Sequence, residues 1–240
     1  MQQPRYQQIA QQLREDMLAG KYPENAQIPP ENELASLMGV SRPTVRQALN
    51  LLEQEGRLIR IKGSGTFVSE PKLVHESTHF LIGYQEESRE KNRILHTRVL
   101  TLQQERARPV VAQMLGLATG EMVTRLTRVR WLENMYGNAP VVYTTVYVPV
   151  RVFPQMAQTN FTDASFYDLL QAHGLRVERS TQRLEIRIPP AEIAAGLKLS
   201  PFEPTAYICS RGYGTGGKVI EYSESDYPAS RSSFHIEIQR

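Results

Sequence analysis

A chain of 240 residues has room for two domains, and its 40% apolar and 8% aromatic content is that of a globular protein with a real core. The net charge of +3 is too small to mark a nucleic-acid binder by itself, because residues 1–70 hold eight Lys or Arg against eight Asp or Glu. One cysteine, Cys209, excludes an internal disulfide framework and a cysteine-rich zinc site, and no apolar run is long enough to cross a bilayer.

The start, MQQPRYQQIAQQL, is polar and lacks the apolar stretch of a signal peptide, so a cytoplasmic location is expected. Tyr6, Ile9, Ala10, Leu13 and Met17 then make the apolar stripe of a first helix over 6–18, which Gly20 stops. Residues 21–30 read as a proline-containing connector. The spacing next predicts a helix over 31–38, with Glu31 and Glu33 in its first turn where the helix dipole favours them, ended by Gly39.

Ser41 is placed to cap a following helix, and Pro43 sits in its first turn, where a missing N–H costs nothing. Val45, Ala48, Leu49 and Leu52 fall at i, i+3, i+4 and i+7 and make one apolar face. The opposite face carries Gln47, Asn50 and Gln54, with Arg46 beside it and Arg42 at the N-terminal end. Ala35, Gly39 and Val45 lie at the intervals that a helix-turn-helix needs for a close crossing, a left-handed turn and a shared core contact. After Gly56, Leu58–Lys62 and Thr66–Val68 read as two short strands joined by Gly63-Ser64-Gly65, a basic hairpin beside the helix pair. Arg42, Arg46, Arg57, Arg60 and Lys62 cluster there. That placement fits duplex DNA, since Gln and Asn read base edges while Arg and Lys meet guanines or phosphates.

These residues resemble the winged helix-turn-helix of the GntR family of bacterial transcription regulators. Ile28-Pro29-Pro30-Glu31, Leu34-Ala35, Gly39 to Leu49, Glu53 to Gly56 and Gly63 to Val68 follow the family's motifs in order over the first third of the chain. The resemblance implies an operator-binding surface made of Arg42, Thr44, Arg46, Gln47, Asn50, Lys62 and Gly65. Two departures are Pro30, where the family usually has a serine cap, and Asn32, where a basic residue is common.

Residues 71–77 are polar and proline-broken and read as a linker between a 1–70 domain and a 78–240 domain. His75 and His79 are four apart, as two metal ligands on a helix would be, yet no further ligand lies nearby and no metal is expected. The remainder predicts helices over 80–92, 108–117, 166–173 and 191–199. Strands are predicted over 94–107, 121–134, 139–150, 177–189, 205–213, 218–227 and 234–239, with a hairpin at Tyr136-Gly137-Asn138. This is an α+β domain on an antiparallel sheet. Ala112–Leu117 with Gly120-Glu121 is echoed by Ala194–Leu199 with Phe202-Glu203, a duplicated unit that either walls a ligand cleft or reflects packing symmetry. The run Gly212–Gly217 imitates a phosphate loop but lies between two strands, and a hairpin turn is the better reading. His96, His173 and His235 stand apart from any nucleophile, and Cys209 sits in an apolar strand as a core thiol does. Neither catalysis nor a cofactor is expected.

The second domain resembles the UTRA effector-binding domain of the HutC-type branch of the family, whose fold is similar to chorismate lyase. The resemblance rests on Leu126–Arg130, Tyr147-Val148-Pro149, Ser165–Leu170 and Val219–Ser225 leading to Tyr227. It implies an effector site of Arg128, Arg130, Ser165, Tyr167, Glu221 and Tyr227. Physically, strand residues two apart share a face, so Arg128 and Arg130 can converge on one anion. Thr144 stands where relatives that bind amino-sugar phosphates have a glutamate, and Tyr227–Arg231 departs from the usual ending, so the expected ligand is a small anion, phosphorylated or carboxylate. The expected whole is a ligand-responsive repressor that binds a palindromic operator as a homodimer. An enzyme on a chorismate-lyase-like fold with a DNA-binding tether is the alternative, separable by ligand turnover.

Overall fold

The computed structural model describes residues 4–61, 63–69, 72–76, 93–133 and 135–237. The chain divides into two compact units, Met1–Lys72 and Leu73–Arg240.

The first unit holds helices α1 (Arg5–Leu18), α2 (Glu31–Met38) and α3 (Arg42–Gln54) and strands β1 (Leu58–Ile61) and β2 (Gly65–Val68). Its core joins Ile9, Ala10 and Leu13 of α1 to Leu34 of α2 and to Val45, Ala48, Leu49 and Leu52 of α3. Each buried leucine contributes about 2 kcal/mol, so this stripe, rather than helix propensity, fixes the three-helix arrangement. Pro30 precedes α2 without a side-chain cap, as its departure from serine implies, and Gly39 ends the helix at φ 61°. Ser41 caps α3 by accepting the Thr44 N–H at 3.4 Å. β1 and β2 form an antiparallel hairpin, and the connector does more than connect. The Ile28 N–H donates to the Thr66 carbonyl and the Val68 N–H to the Ala26 carbonyl, both at 2.9 Å, which lays the connector along β2.

The second unit holds strands β3 (Leu73–Glu76), β4 (Leu95–Arg106), β5 (Met122–Leu132), β6 (Val142–Pro149), β7 (Arg179–Arg187), β8 (Thr205–Tyr213), β9 (Val219–Pro228) and β10 (Ser232–His235). Its helices are α4 (Pro109–Leu115), α5 (Phe166–Ala172) and α6 (Ala191–Leu197). Six strands make one antiparallel sheet in the order β4-β5-β6-β9-β8-β7. Alternation along β5 puts Leu126, Arg128, Arg130 and Leu132 on one face. Leu126 there packs with Phe153, Phe161, Phe166 and Leu170, so α5 and the turns before it cover that face. On the opposite face Val123 packs with Val111 and Leu115 of α4, and Val129 with Leu197 of α6.

Two expectations are corrected, and one alternative is decided. Residues 73–76, read as part of a linker, form β3, with Leu73 and His75 buried. The last strand does not complete the main sheet, because β10 pairs in parallel with β3 as a separate two-stranded sheet. The duplicated unit does not wall the face that carries Arg128. α4 and α6 both cover the other face and repeat the same local chemistry: each ends in a left-handed residue, Gly116 or Lys198, and a carboxylate five residues past it, Glu121 or Glu203, accepts the N–H of Ala118 or Ser200. The helix expected over 80–92 and His79 lie outside the described residues. No helix among the described residues is long and apolar enough to cross a membrane.

Candidate DNA-binding surface and ligand site

Because α3 buries one face, the other stands open: Arg42, Arg46, Gln47 and Asn50 are exposed and Thr44 is half-buried. Glu31, at the start of α2, organises the arginines. Arg42 Nε donates to its carboxylate at 2.9 Å and Arg46 Nη2 at 2.8 Å, with Arg46 Nε at 3.1 Å to the other oxygen. These bonds, first the one from Arg46, hold the Glu31 carboxyl down at about 2. Thr44 Oγ1 lies 2.7 Å from Ser41 Oγ at the cap. Arg60 reaches from the wing to Asn50 Oδ1 at 3.1 Å and pairs with Glu53. At the wing turn Gln27 Nε2 donates to the Ser64 carbonyl at 2.8 Å, and Gly65, at φ 129°, has this same amide where a Cβ would stand. Any side chain at 65 would displace the brace. Lys62 lies outside the described residues.

The second unit buries two guanidinium groups side by side: Arg128 is 2% exposed and Arg130 8% exposed. Arg128 lies over the Phe161 ring at 5.6 Å, and its Nε and Nη1 have no hydrogen-bond partner among the described residues. Burial, then the adjacent Arg130, push its affinity for a proton well below the ordinary value. A guanidinium keeps its proton regardless, so the site stores an uncompensated cation whose cost a bound anion would relieve. Tyr167, from the start of α5, lies within electrostatic reach of Glu221, Tyr227, Arg128 and Arg130, and burial lifts its hydroxyl well above the phenol range. It donates to Glu221 Oε1 at 3.5 Å. Burial pushes the Glu221 carboxyl up to about 7, against the smaller downward pull of the Ser223 and Tyr167 hydroxyls. Arg128, Arg130, Tyr167 and Glu221 therefore come together, while the Tyr227 ring packs edge-on against His75 and Phe234. Ser165 stands two residues before Tyr167 and uses its hydroxyl to cap α5, accepting the Asp168 N–H at 3.3 Å.

The description "Bacterial regulatory proteins, gntR family" matches residues 5–68, and "UTRA domain" matches residues 90–233. The histidine utilization repressor of Pseudomonas aeruginosa is 30% identical over 229 residues, 95% of this chain and 88% of its own length. The chain belongs to the GntR family. Within that family it is also similar to the mannosyl-D-glycerate transport/metabolism system repressor MngR of Escherichia coli K12, 28% identical over 99% of this chain and 97% of the relative. The crystal structure of PhnF from Mycobacterium smegmatis superposes with a TM-score of 0.73 at 25% identity, covering 95% of this chain and 98% of that one. The GntR-family chain is thus a DNA-binding transcriptional regulator with a UTRA domain, and not an enzyme.

Reading the sequence of this GntR-family member missed three features. Glu31 was read as a dipole partner and is also the clamp on Arg42 and Arg46. Gln27, in the connector before α2, braces the wing. Beside Arg128 in the sheet, Thr144 is its cross-strand neighbour and Ser225 the next, with their hydroxyls 3.1 Å apart, and Ser223 and Ser210 pair one row away. This hydroxyl floor is buried or half-buried, and the signal for it was the i, i+2 spacing of Ser223 and Ser225 on one face of the strand. Gly212 faces Glu221 across the β8–β9 pair, and a Cβ there would meet Oε1 at 2.7 Å, so a glycine makes room for the buried carboxyl.

Proposed function

We propose that this GntR-family regulator is a cytoplasmic homodimeric repressor whose grip on a palindromic operator answers to a small anionic metabolite, phosphorylated or carboxylate. Arg42, Thr44, Arg46, Gln47 and Asn50 meet the major groove, and Lys62 and Gly65 carry the wing along the adjacent backbone. Arg128 and Arg130 hold the anion with fork-shaped donors, Tyr167 and Glu221 take its polar remainder, and Ser165 and Tyr227 complete the wall. The observation that carries the ligand reading is the buried Arg128 guanidinium beside Arg130, with two nitrogens lacking partners among the described residues. Two relatives are named for histidine and mannosyl-D-glycerate, compounds that each bear a carboxylate, which agrees with an anion site.

Two experiments test this. Selection of bound duplexes from a random pool should return an inverted repeat; an asymmetric consensus would contradict the two-fold reading. A thermal-shift screen of metabolites should find its stabilisers among phosphorylated and carboxylate compounds, and hits confined to neutral compounds would overturn the anion assignment.

A further inference from the structure

We propose that Arg60, reaching from the wing, fixes the Asn50 amide so that it can only donate, and thereby sets the base that Asn50 reads to guanine or thymine rather than adenine. This rests on the reading of α3 as the groove-facing helix; it assigns one residue of that helix a base class and makes Arg60 the residue that positions it.

Asn50 comes four residues after Arg46 and three after Gln47, so it shares their exposed side of α3. A free asparagine amide presents an acceptor and a donor side by side, the pattern that pairs with both the N6 amino group and the N7 of adenine. The Asn50 amide is not free. Arg60 Nη2 donates to Asn50 Oδ1 at 3.1 Å. Arginine has donors and no acceptor, so the atom that faces it must be the amide oxygen, and the Nδ2 end of Asn50 is what remains for DNA. An amide that can only donate matches acceptors alone: O6 and N7 of guanine, or O4 of thymine. Cytosine shows only its N4 amino donor in the major groove, and the N6 amino donor of adenine would meet no acceptor, so both are disfavoured.

The parts of this lock are themselves held. Arg60 lies two residues after the buried Leu58 and so shares the face of β1 that Leu58 turns to the core it makes with α3. Its Nη1 lies 3.5 Å from a carboxylate oxygen of Glu53, three residues after Asn50, so the guanidinium bridges two side chains of one helix. β1 is set in register by β2, and the turn between them is braced by Gln27. Glu31 directs Arg42 and Arg46 in the same manner, and Arg60 extends that presetting to the polar reader at the far end of the surface.

Selection of bound duplexes from a random pool, run on the full chain, tests the lock through base identity, which a lost phosphate contact does not change. Asn50→Ala should flatten one position of the bound consensus and so mark it. The wild type should hold guanine or thymine there. Arg60→Leu, which releases the oxygen, should turn that position to adenine, raising the ratio of adenine to the wild-type base about fivefold to a hundredfold, and should leave the position marked by Gln47→Ala as it was. Arg60→Lys, which still offers only donors, should keep the wild-type base. Adenine or cytosine at the marked position in the wild type, or a base there that Arg60→Leu leaves unchanged, overturns the lock. If Asn50→Ala flattens no position while Arg46→Ala or Gln47→Ala does, Asn50 reads no base, and the lock falls while the α3 surface stands. If none of the three changes any position, the α3 reading falls with it.

Discussion

Arg46, proposed to meet DNA, pairs with Glu31, and that pairing sets its direction without neutralising the surface, since Arg42 shares the same carboxylate. Arg46→Ala or Gln47→Ala should cost about 1–3 kcal/mol on the selected operator and little on random duplex; equal losses on both would contradict base readout. Lys62→Ala should weaken all sequences alike and lower the slope of log affinity against log salt by about one. At the other site Glu221 makes a prediction whose sign is fixed by burial. Its carboxyl rises from 4.5 to about 7 in the folded chain, so the folded state holds more protons than the unfolded one between those values. The part of the ligand-free protein's stability linked to Glu221 should therefore be fully present below about pH 4.5 and fall as pH rises through about 7. Glu221→Gln should flatten that slope in thermal melts taken from pH 5 to 8, and an unchanged slope would contradict the assignment.

At the scale of elements, legibility followed how local the determining signal was. The limits of α2 and α3 came from caps and glycines within a turn of each end, and the wing from a glycine turn between two short apolar runs. Arg128 and Arg130 were legible through the resemblance to the UTRA domain, and their spacing of two on a strand agrees with it by putting both on one face. β3 and β10 were not, because their pairing joins segments from opposite ends of the second unit, and four residues of alternation, Leu73 and His75 inward, cannot outweigh the surrounding polar composition. The duplicated unit was visible, but which face it covers depends on tertiary packing that no local pattern encodes. The β3 correction is testable: Leu73 is 1% exposed among Leu132, Val142 and Ile208, so Leu73→Ala should cost about 2–5 kcal/mol of unfolding free energy. An unaltered denaturation midpoint would return residues 73–76 to the linker.

For the whole molecule, the proposed function gives the two units different halves of one equilibrium, DNA binding and ligand binding. A two-fold operator presents half-sites about 34 Å apart, so if the full chain binds as the proposed homodimer, a fragment of residues 1–72 should bind the selected operator about 10²–10⁴-fold more weakly than it does. Equal affinity would mean that the second unit adds nothing to DNA binding. Ligand control is a coupling free energy between sites, and it must vanish when the ligand's holder is removed while the DNA surface remains. The measurement that tests this most directly is an operator titration, with and without the anion found in the screen, of the wild type and of Arg128→Met. Methionine fills the volume without the uncompensated charge, so the variant should melt higher than wild type in the absence of ligand, bind operator as wild type does, and ignore the anion. An Arg128→Met protein whose operator affinity still shifts at wild-type anion concentrations would contradict the account.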